Sequence, residues 1–261
     1  MLTLTIFNLI TIALIAVGIW LSRRYIKSGR GIYVIFLLSS VFTVILHYSA
    51  LIYRLITGGD AIECLKDTPN LILPIYPCNI VMWCAVIFGL IKNKKSKFGA
   101  FLADYLFWFG IVSTLVGMFA NVDFIMNPTL LDYQNLKSIL AHATLLFNVL
   151  LLPAFGYVKI DLWKNLYHII ISIVVMFVIG AYCNLMFEVL VSSEAAYDVN
   201  SMFLIHSPFD GVDFLTYPVI VLIAIPLYFI IFAICEIFKY ERGERFYNRK
   251  RLPFVKRKAE K

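Results

Sequence analysis

The chain has 261 residues, of which 61% are hydrophobic and only 15% are charged. A soluble domain is closer to half apolar, so this composition excludes an ordinary soluble enzyme and indicates a chain that crosses a membrane several times. The net charge of +7 does not indicate a nucleic-acid partner, because the basic residues lie in short loops and in the tail, where they orient helices. The five cysteines have neither metal-ligand spacing nor the pattern of a secreted disulfide framework, so we expect no metal and no cofactor.

Seven apolar segments follow one another along the chain, and each is near the roughly 20 residues that a membrane-spanning helix needs. They cover residues 2–22, 32–56, 71–91, 99–120, 138–157, 166–190 and 214–238. We therefore predict an all-α polytopic membrane protein, with seven transmembrane helices in residues 1–238 and a basic cytoplasmic tail in residues 239–261. The tail mixes Lys and Arg with aromatic residues, so it suits anionic lipid headgroups as well as fixing topology.

The distribution of Lys and Arg predicts the orientation of the seven segments. The loops after segments 1, 3 and 5 and the tail hold twenty of the 23 basic residues, and the opposite side holds only three. By the positive-inside rule the N-terminus lies outside and the C-terminus lies in the cytoplasm. The first segment has its basic residues behind it, whereas a cleaved signal peptide has them in front, so we expect it to be retained.

Several polar side chains fall at one depth in the predicted outer half of the membrane. At a rise of 1.5 Å per residue they lie roughly 6 to 14 Å below the outer boundary. The set comprises His47, Cys78, His142 and Asn184, with Gly117 and Asn121 at the same end of segment 4 and Glu188 one turn from Asn184. Polar residues inside spans are functional candidates by default. Towards the inner side, Asp104, His168 and Glu236 are expected at the interface with the headgroups.

A thiol and an imidazole at one depth suggest nucleophilic catalysis. A free thiol is only slightly ionised at neutral pH, and an imidazole within reach would take its proton and return it to the leaving group. Cys78 is the candidate nucleophile, and His142 and His47 are both candidates for the base. Amide groups that could serve an oxyanion or orient an imidazole are those of Asn79, Asn121 and Asn184. The alternative is that the cysteine is inert and the histidines only hold helices together.

Two stretches near this level are irregular. Pro74 and Pro77 interrupt the third segment directly before Cys78, and such backbone persists in lipid only where protein or a water-filled cavity covers it. The outer loop 191–213 is unusually apolar around residues 202–204. We expect it to dip back over the site, with Asn200 and His206 near the mouth; the alternative is an amphipathic loop at the interface.

Four short motifs resemble a known family in their order and spacing. They are LPIYPCN around Cys78, HATLLFN from His142, the run from Asn200 to Pro208, and the pair Tyr217-Pro218. The chain resembles the YwaF-type integral membrane proteins of bacteria, which are similar to transmembrane protein 164, a phospholipid acyltransferase. The resemblance covers roughly residues 30 to 238 and implies acyl transfer, with Cys78 and His142 as the catalytic pair.

The predicted topology restricts the choice of acyl donor for the reaction that this resemblance implies. A thiol in the outer half is badly placed for acyl-CoA, which is cytoplasmic, so we expect a membrane phospholipid as acyl donor and a lysolipid or another lipid hydroxyl as acceptor. The expected location is the cell membrane of a bacterium. Two other functions fit the same residues: a small-solute transporter or channel with a polar cavity, and a membrane sensor or interaction subunit in which the polar residues serve packing alone.

Overall fold

The computed structural model describes residues 2–60, 69–71, 73–119, 129, 132–207, 213–214 and 216–239. These ranges contain eight α-helices and no strand. The helices are α1 (Leu2–Tyr25), α2 (Gly29–Ile56), α3 (Pro77–Leu90), α4 (Lys97–Phe119), α5 (Tyr133–Ala154), α6 (Leu162–Leu190), α7 (Ser193–Val199) and α8 (Tyr217–Lys239). Two 3-10 turns, Pro69–Leu71 and Ser201–Phe203, lie between them.

Six of these helices, all except α3 and α7, are long and apolar enough to cross a membrane. The prediction of an all-α, multi-pass membrane protein is therefore confirmed. Helix α3 is apolar but has only 14 residues. The count of seven spans and the orientation with the N-terminus outside stay predictions. The basic tail lies, apart from its first residue, outside the described residues.

Polar caps set where several of these helices begin. The side chains of Ser28, Asp132 and Asp161 accept hydrogen bonds from backbone N–H groups in the first turns of α2, α5 and α6. These caps satisfy donors that have no partner inside the helix. Because hydropathy does not register such residues, α2 and α6 each begin a few residues earlier than the apolar pattern predicts.

Helix α3 begins at Pro77, whereas the apolar pattern places the start of the third segment at residue 71. A proline fits the first helical position, because its missing N–H would have no partner there in any case. The Asn79 side-chain oxygen accepts a hydrogen bond from the Tyr76 backbone N–H at 3.1 Å and closes the turn. Pro77 thus starts a helix, and residues 73–76 approach it in non-helical conformation.

Helix α4 lies at the centre of the bundle, in contact with α3, α5 and α6. The core between α2, α3, α4 and α5 is built from large apolar side chains, including Phe36, Val81, Phe88, Leu106, Val149 and Leu152. Helices α1 and α8 turn most of their Leu, Ile and Val side chains outward, as expected of helices that face lipid. The Asn8 amide fixes α1 to the end of α4 by donating to the Met118 carbonyl at 2.6 Å.

Helices α2 and α5 meet along a seam of small polar side chains. Ser39 donates a hydrogen bond to the Asn148 side-chain oxygen, and the Thr43 hydroxyl donates to that of Thr144 at 3.0 Å. Without water in the bilayer core such pairs join helices that a hydrophobic effect cannot hold together. The seam therefore fixes the rotation of α5 about its axis, and with it the direction of the histidine that α5 carries.

Candidate functional site

Cys78 lies in the first turn of α3, directly after Pro77. Cys78 is the second residue of the helix, and the Asn79 N–H beside it donates to the Tyr76 carbonyl at 3.0 Å. First-turn N–H groups and the helix dipole favour negative charge at this position. The side chain is a free thiol and is partly exposed, as is that of Cys84 one and a half turns later on the same helix. Asn79 itself is buried, and its oxygen is engaged by Tyr76.

The two candidate bases lie near one another. The His142 imidazole, on α5, lies within range of an unfavourable like-charge interaction with the His47 imidazole, on α2, when both rings are protonated. His142 Nδ1 contacts the Ser138 carbonyl at 2.8 Å, and His47 Nε2 contacts the Asn70 carbonyl at 3.1 Å. A carbonyl can only accept, so in each neutral ring the contacting nitrogen carries the hydrogen. The basic nitrogen is then Nε2 in His142 and Nδ1 in His47.

Gly117 makes room for the His142 ring. The Cβ of any larger residue at position 117 would overlap the ring atoms Cδ2 and Nε2 of His142. The absence of a side chain thus lets the imidazole lie directly against the backbone of α4, close to its end. The sequence grouped Gly117 with the histidines by its depth alone. In the structure a glycine is required there, because a side chain at position 117 would overlap the His142 ring.

His47 also connects the imidazole pair to the segment that precedes Cys78. Its partner Asn70 belongs to the 3-10 turn Pro69–Leu71, a few residues ahead of α3. On the other side of that segment, the Ile75 carbonyl accepts hydrogen bonds from the backbone N–H of Met202 and from the Ser201 hydroxyl. The residues just before the thiol are therefore held between α2 and the loop that follows α7.

Asn184 and Asn200 both bind that loop. The Asn184 side chain accepts from the Ser201 N–H at 2.7 Å and donates to the Ser201 carbonyl at 3.3 Å. The Asn200 side chain accepts from the backbone N–H groups of Ile205 and His206 and donates to the His206 carbonyl. The loop does dip back into the bundle, because Ser201 and Met202 are fully buried.

The candidate site residues predicted from the sequence do not all lie in the same part of the structure. His142 and His47 lie within electrostatic range of each other, and His47 contacts the segment that precedes Cys78. Asn184 and Asn200 bind the loop that holds the other side of that segment. Glu188 lies on α6 one turn beyond Asn184, but its side chain is exposed. Asn121 lies outside the described residues. In the described part of the chain no group of three or more His, Cys, Asp or Glu side chains is arranged to hold a metal ion.

A second polar site, between α4 and α6, was not expected. Asp104 and His168 were predicted to reach the headgroups, but the Asp104 carboxylate is only 2% exposed and lies 2.6 Å from His168 Nδ1. The Lys164 ammonium lies 3.8 Å from the same carboxylate oxygen. One feature of the sequence could have indicated that Asp104 is buried. Phe101, Asp104 and Trp108 are spaced by three and four residues, so they lie on one face of a helix, with the carboxylate between two aromatic side chains.

Comparison with known proteins identifies a family and no individual relative. Neither the curated proteins nor the solved structures include a match to this chain. A family model matches residues 1–236, which is nearly all of the chain ahead of the basic tail. The expected similarity to transmembrane protein 164 is thereby confirmed, while the likeness to YwaF-type proteins stays a prediction. The chain belongs to the TMEM164 family.

Proposed function

We propose that the protein is a membrane acyltransferase that carries the acyl group as a thioester on Cys78. The thiol gives its proton to an imidazole, and the sulfur attacks the ester carbonyl of a phospholipid. The ester C–O bond breaks, the imidazole returns the proton to the departing glycerol oxygen, and a lysolipid leaves. A lipid hydroxyl then attacks the thioester carbonyl and loses its proton to the imidazole. The C–S bond breaks, the imidazole returns the proton to the sulfur, and the newly formed lipid ester leaves.

The observation that carries this proposal is that His47 contacts the Asn70 carbonyl in the segment ahead of Cys78, with the His142 imidazole within electrostatic range of His47. A candidate nucleophile and two candidate bases thus belong to neighbouring parts of the bundle, and the basic nitrogens are Nε2 in His142 and Nδ1 in His47. The position of Cys78 in the first turn of α3 suits a developing negative charge, because the positive end of the helix dipole lies there. Membership in the TMEM164 family is consistent with such a site.

The partial exposure of Cys78 supports a substrate that comes from the bilayer. In the predicted topology this end of the bundle faces the outer leaflet, where phospholipid is abundant and acyl-CoA is not. A phospholipid is therefore the proposed donor, and a lysolipid or another lipid hydroxyl the proposed acceptor. Neither a metal nor a cofactor takes part in the proposed steps.

The test is to trap the acyl-enzyme. Purified protein in lipid nanodiscs is incubated with phospholipid bearing an alkyne-tagged acyl chain, or with the matching acyl-CoA, and the thioester is detected by its sensitivity to hydroxylamine. We expect label from phospholipid, none in Cys78→Ser, and unchanged label in Cys84→Ser, which removes the other free thiol of α3. Label from acyl-CoA but not from phospholipid would overturn the donor, and label that survives Cys78→Ser would overturn the mechanism.

The same acylation assay shows whether His142 or His47 is the general base. Replacement of the true base by glutamine keeps a polar side chain of similar size but should slow acylation by about 10²- to 10⁴-fold, the usual contribution of a general base. We expect this loss in His142→Gln, with a smaller effect in His47→Gln. The reverse order would assign the base to His47.

One observation favours a second candidate, a proton-coupled transporter of a small solute. The buried Asp104–His168 pair is the kind of ionisable group that proton relays in transporters use. Solute flux in proteoliposomes that follows an imposed pH gradient, is lost in Asp104→Asn and persists in Cys78→Ser would support that function in place of acyl transfer.

A further inference from the structure

The loop Asn200–Leu204, here called the docked loop, enters the bundle beside the start of α3. Ser201 is 0% exposed and Met202 is 1% exposed, although both follow a short polar helix that is largely exposed. Met202 belongs to the main apolar core of the bundle. A loop this deeply buried must have its backbone polar groups satisfied by protein.

Helix α6 supplies one half of the contact surface for the docked loop. Asn184 pairs with both backbone groups of Ser201, its oxygen with the N–H and its nitrogen with the carbonyl. One turn earlier, Gly180 provides the space for Met202 and Leu204, since a Cβ at Gly180 would come within 3 Å of both side chains. Asn184 and Gly180 together form the surface of α6 against which the docked loop packs.

The other half of the contact surface is the segment directly before Cys78. The Ile75 carbonyl accepts two hydrogen bonds from the docked loop, from the Met202 N–H at 2.9 Å and from the Ser201 hydroxyl at 3.0 Å. The Tyr76 ring stacks on that of Phe203, with centroids 5.7 Å apart and planes at 26°. Tyr76 is the N-cap of α3, and Cys78 is the second residue of that helix.

The backbone of the docked loop is strained. Asn200, Met202 and Phe203 have φ angles of 42°, 54° and 58°, in the left-handed region that side chains other than glycine rarely adopt. Such conformations persist only where surrounding contacts enforce them, and they concentrate at functional sites. The contacts with Asn184 and Ile75 therefore hold a loop that would otherwise relax.

We propose that Asn184 and Ser201 are positioning residues for Cys78: through the docked loop they fix Ile75 and Tyr76, and with them the first turn of α3 and the direction of its thiol. This inference rests on the proposed acyl transfer for its purpose but not for its geometry. Loss of the docked loop would free the non-helical backbone before α3, because the Ile75 carbonyl would lose both of its partners.

The experiment measures the reactivity of Cys78 by itself, with full-length protein in nanodiscs. A maleimide is added, and the rate of modification at each cysteine is read by peptide mass spectrometry. Asn184→Leu removes both bonds to Ser201 at similar side-chain volume. We expect it to raise the rate at Cys78 by about tenfold, the shift in an opening equilibrium that two ordinary hydrogen bonds produce, and to lower phospholipid-dependent acylation.

The matched control lies on the same helix. Asn165→Leu removes a buried amide near the other end of α6, where its oxygen accepts a hydrogen bond from the Asp161 N–H at 2.9 Å. We expect it to leave the maleimide rate at Cys78 unchanged even if it lowers stability. Equal effects of the two substitutions on Cys78 would overturn the proposal, because general loosening would then explain both.

The pH dependence of a further variant, Asn184→Asp, distinguishes a positioning role of the Asn184 amide from a role in packing alone. In Asn184→Asp the new carboxyl group can make both bonds to Ser201 when it is protonated, but the carboxylate cannot donate to the Ser201 carbonyl. Relative to wild type at each pH, the excess maleimide rate at Cys78 should therefore be small in acid and grow as pH rises. A ratio that does not change with pH would contradict the proposed role of the Asn184 amide.

Ser201→Ala serves if Asn184→Leu fails to fold. It removes one of the two bonds to Ile75 and keeps the Met202 N–H, so a smaller rise in the rate at Cys78 is expected, and no rise would overturn the proposal. If the rate rises as expected but wild type forms no acyl-enzyme, the proposed function fails while the positioning role stands. If wild type is acylated and Asn184→Leu is acylated and alkylated at the wild-type rate, only the positioning role fails.

Discussion

Replacing His168 with leucine removes one partner of the buried pair between α4 and α6, and we expect a large loss of stability. The Asp104 carboxylate is 2% exposed and accepts from His168 Nδ1 at 2.6 Å. With the imidazole gone, the carboxylate stays buried without its main donor. Two weaker partners remain near the carboxylate, the half-exposed Lys164 ammonium and the side chain of Asn165.

The magnitude follows from these contacts. Breaking a buried ion pair by removing one partner costs about 3–5 kcal/mol. The Lys164 ammonium at 3.8 Å remains, and because its side chain is 44% exposed it returns about 1 kcal/mol at most. The expected loss is therefore about 2–4 kcal/mol. Replacing both Asp104 and His168 with leucine leaves no buried charge, so the double variant should cost less than the sum of the two single variants by about 1 kcal/mol or more.

The measurement is reversible unfolding in mixed micelles of mild detergent and dodecyl sulfate, followed by tryptophan fluorescence. Ile170→Ala, at an exposed position on α6, is the control and should change the free energy of unfolding by about 0.5 kcal/mol or less. A loss below about 1 kcal/mol in His168→Leu, or additive effects in the double variant, would refute the reasoning. The pair would then be weakly coupled despite its short distance.

Two further predictions concern single side chains. Burial lowers the pKa of Lys94, between α3 and α4, from its ordinary 10.5 to about 8. Between these values the unfolded chain holds a proton on Lys94 that the folded chain has released, so this residue contributes stability that grows from pH 8 to pH 10. The difference in the free energy of unfolding between wild type and Lys94→Met should therefore increase over this range, whereas the difference between wild type and Lys95→Met, at an exposed neighbour, should stay constant; equal slopes for the two variants would contradict the assignment. Gly117→Ala places a Cβ in the His142 ring, and we expect a loss of about 1–3 kcal/mol from overpacking together with loss of acyl-enzyme. Gly29→Ala, which meets open space, should change neither quantity.

Hydropathy predicted the helices well because lipid imposes a simple rule on composition. Helices α2 and α6 end where the apolar pattern ends, at residues 56 and 190. Their starts extend beyond the pattern to the capping residues Ser28 and Asp161, which are polar and so lie outside any apolar window. The start of α3 was harder to predict, because it depends on contacts with a loop about 126 residues later in the chain.

Depth along a helix could be predicted, but rotation about its axis could not. Counting residues placed His47 and His142 at one level, and the two imidazoles lie within electrostatic range of each other. The same counting assigned Asp104 and His168 to the interface, although they are 64 residues apart and face each other inside the bundle. Which side of a helix meets which neighbour depends on the packing of all the helices, and one sequence does not contain that information in its periodicity.

The shortness of α3 has a consequence for the surrounding lipid. In the predicted arrangement α3 is the third span, and its 14 residues cover about 21 Å, whereas the hydrocarbon core of a bilayer is about 30 Å thick. The bilayer around a span that is too short becomes thinner. The lipid ester groups there lie closer to the membrane centre than they do elsewhere. If the short end is the one that carries Pro77, ester carbonyls descend towards the level of Cys78. The proposed phospholipid donor would then reach the thiol through a local deformation of the bilayer, with its acyl chains still in the membrane.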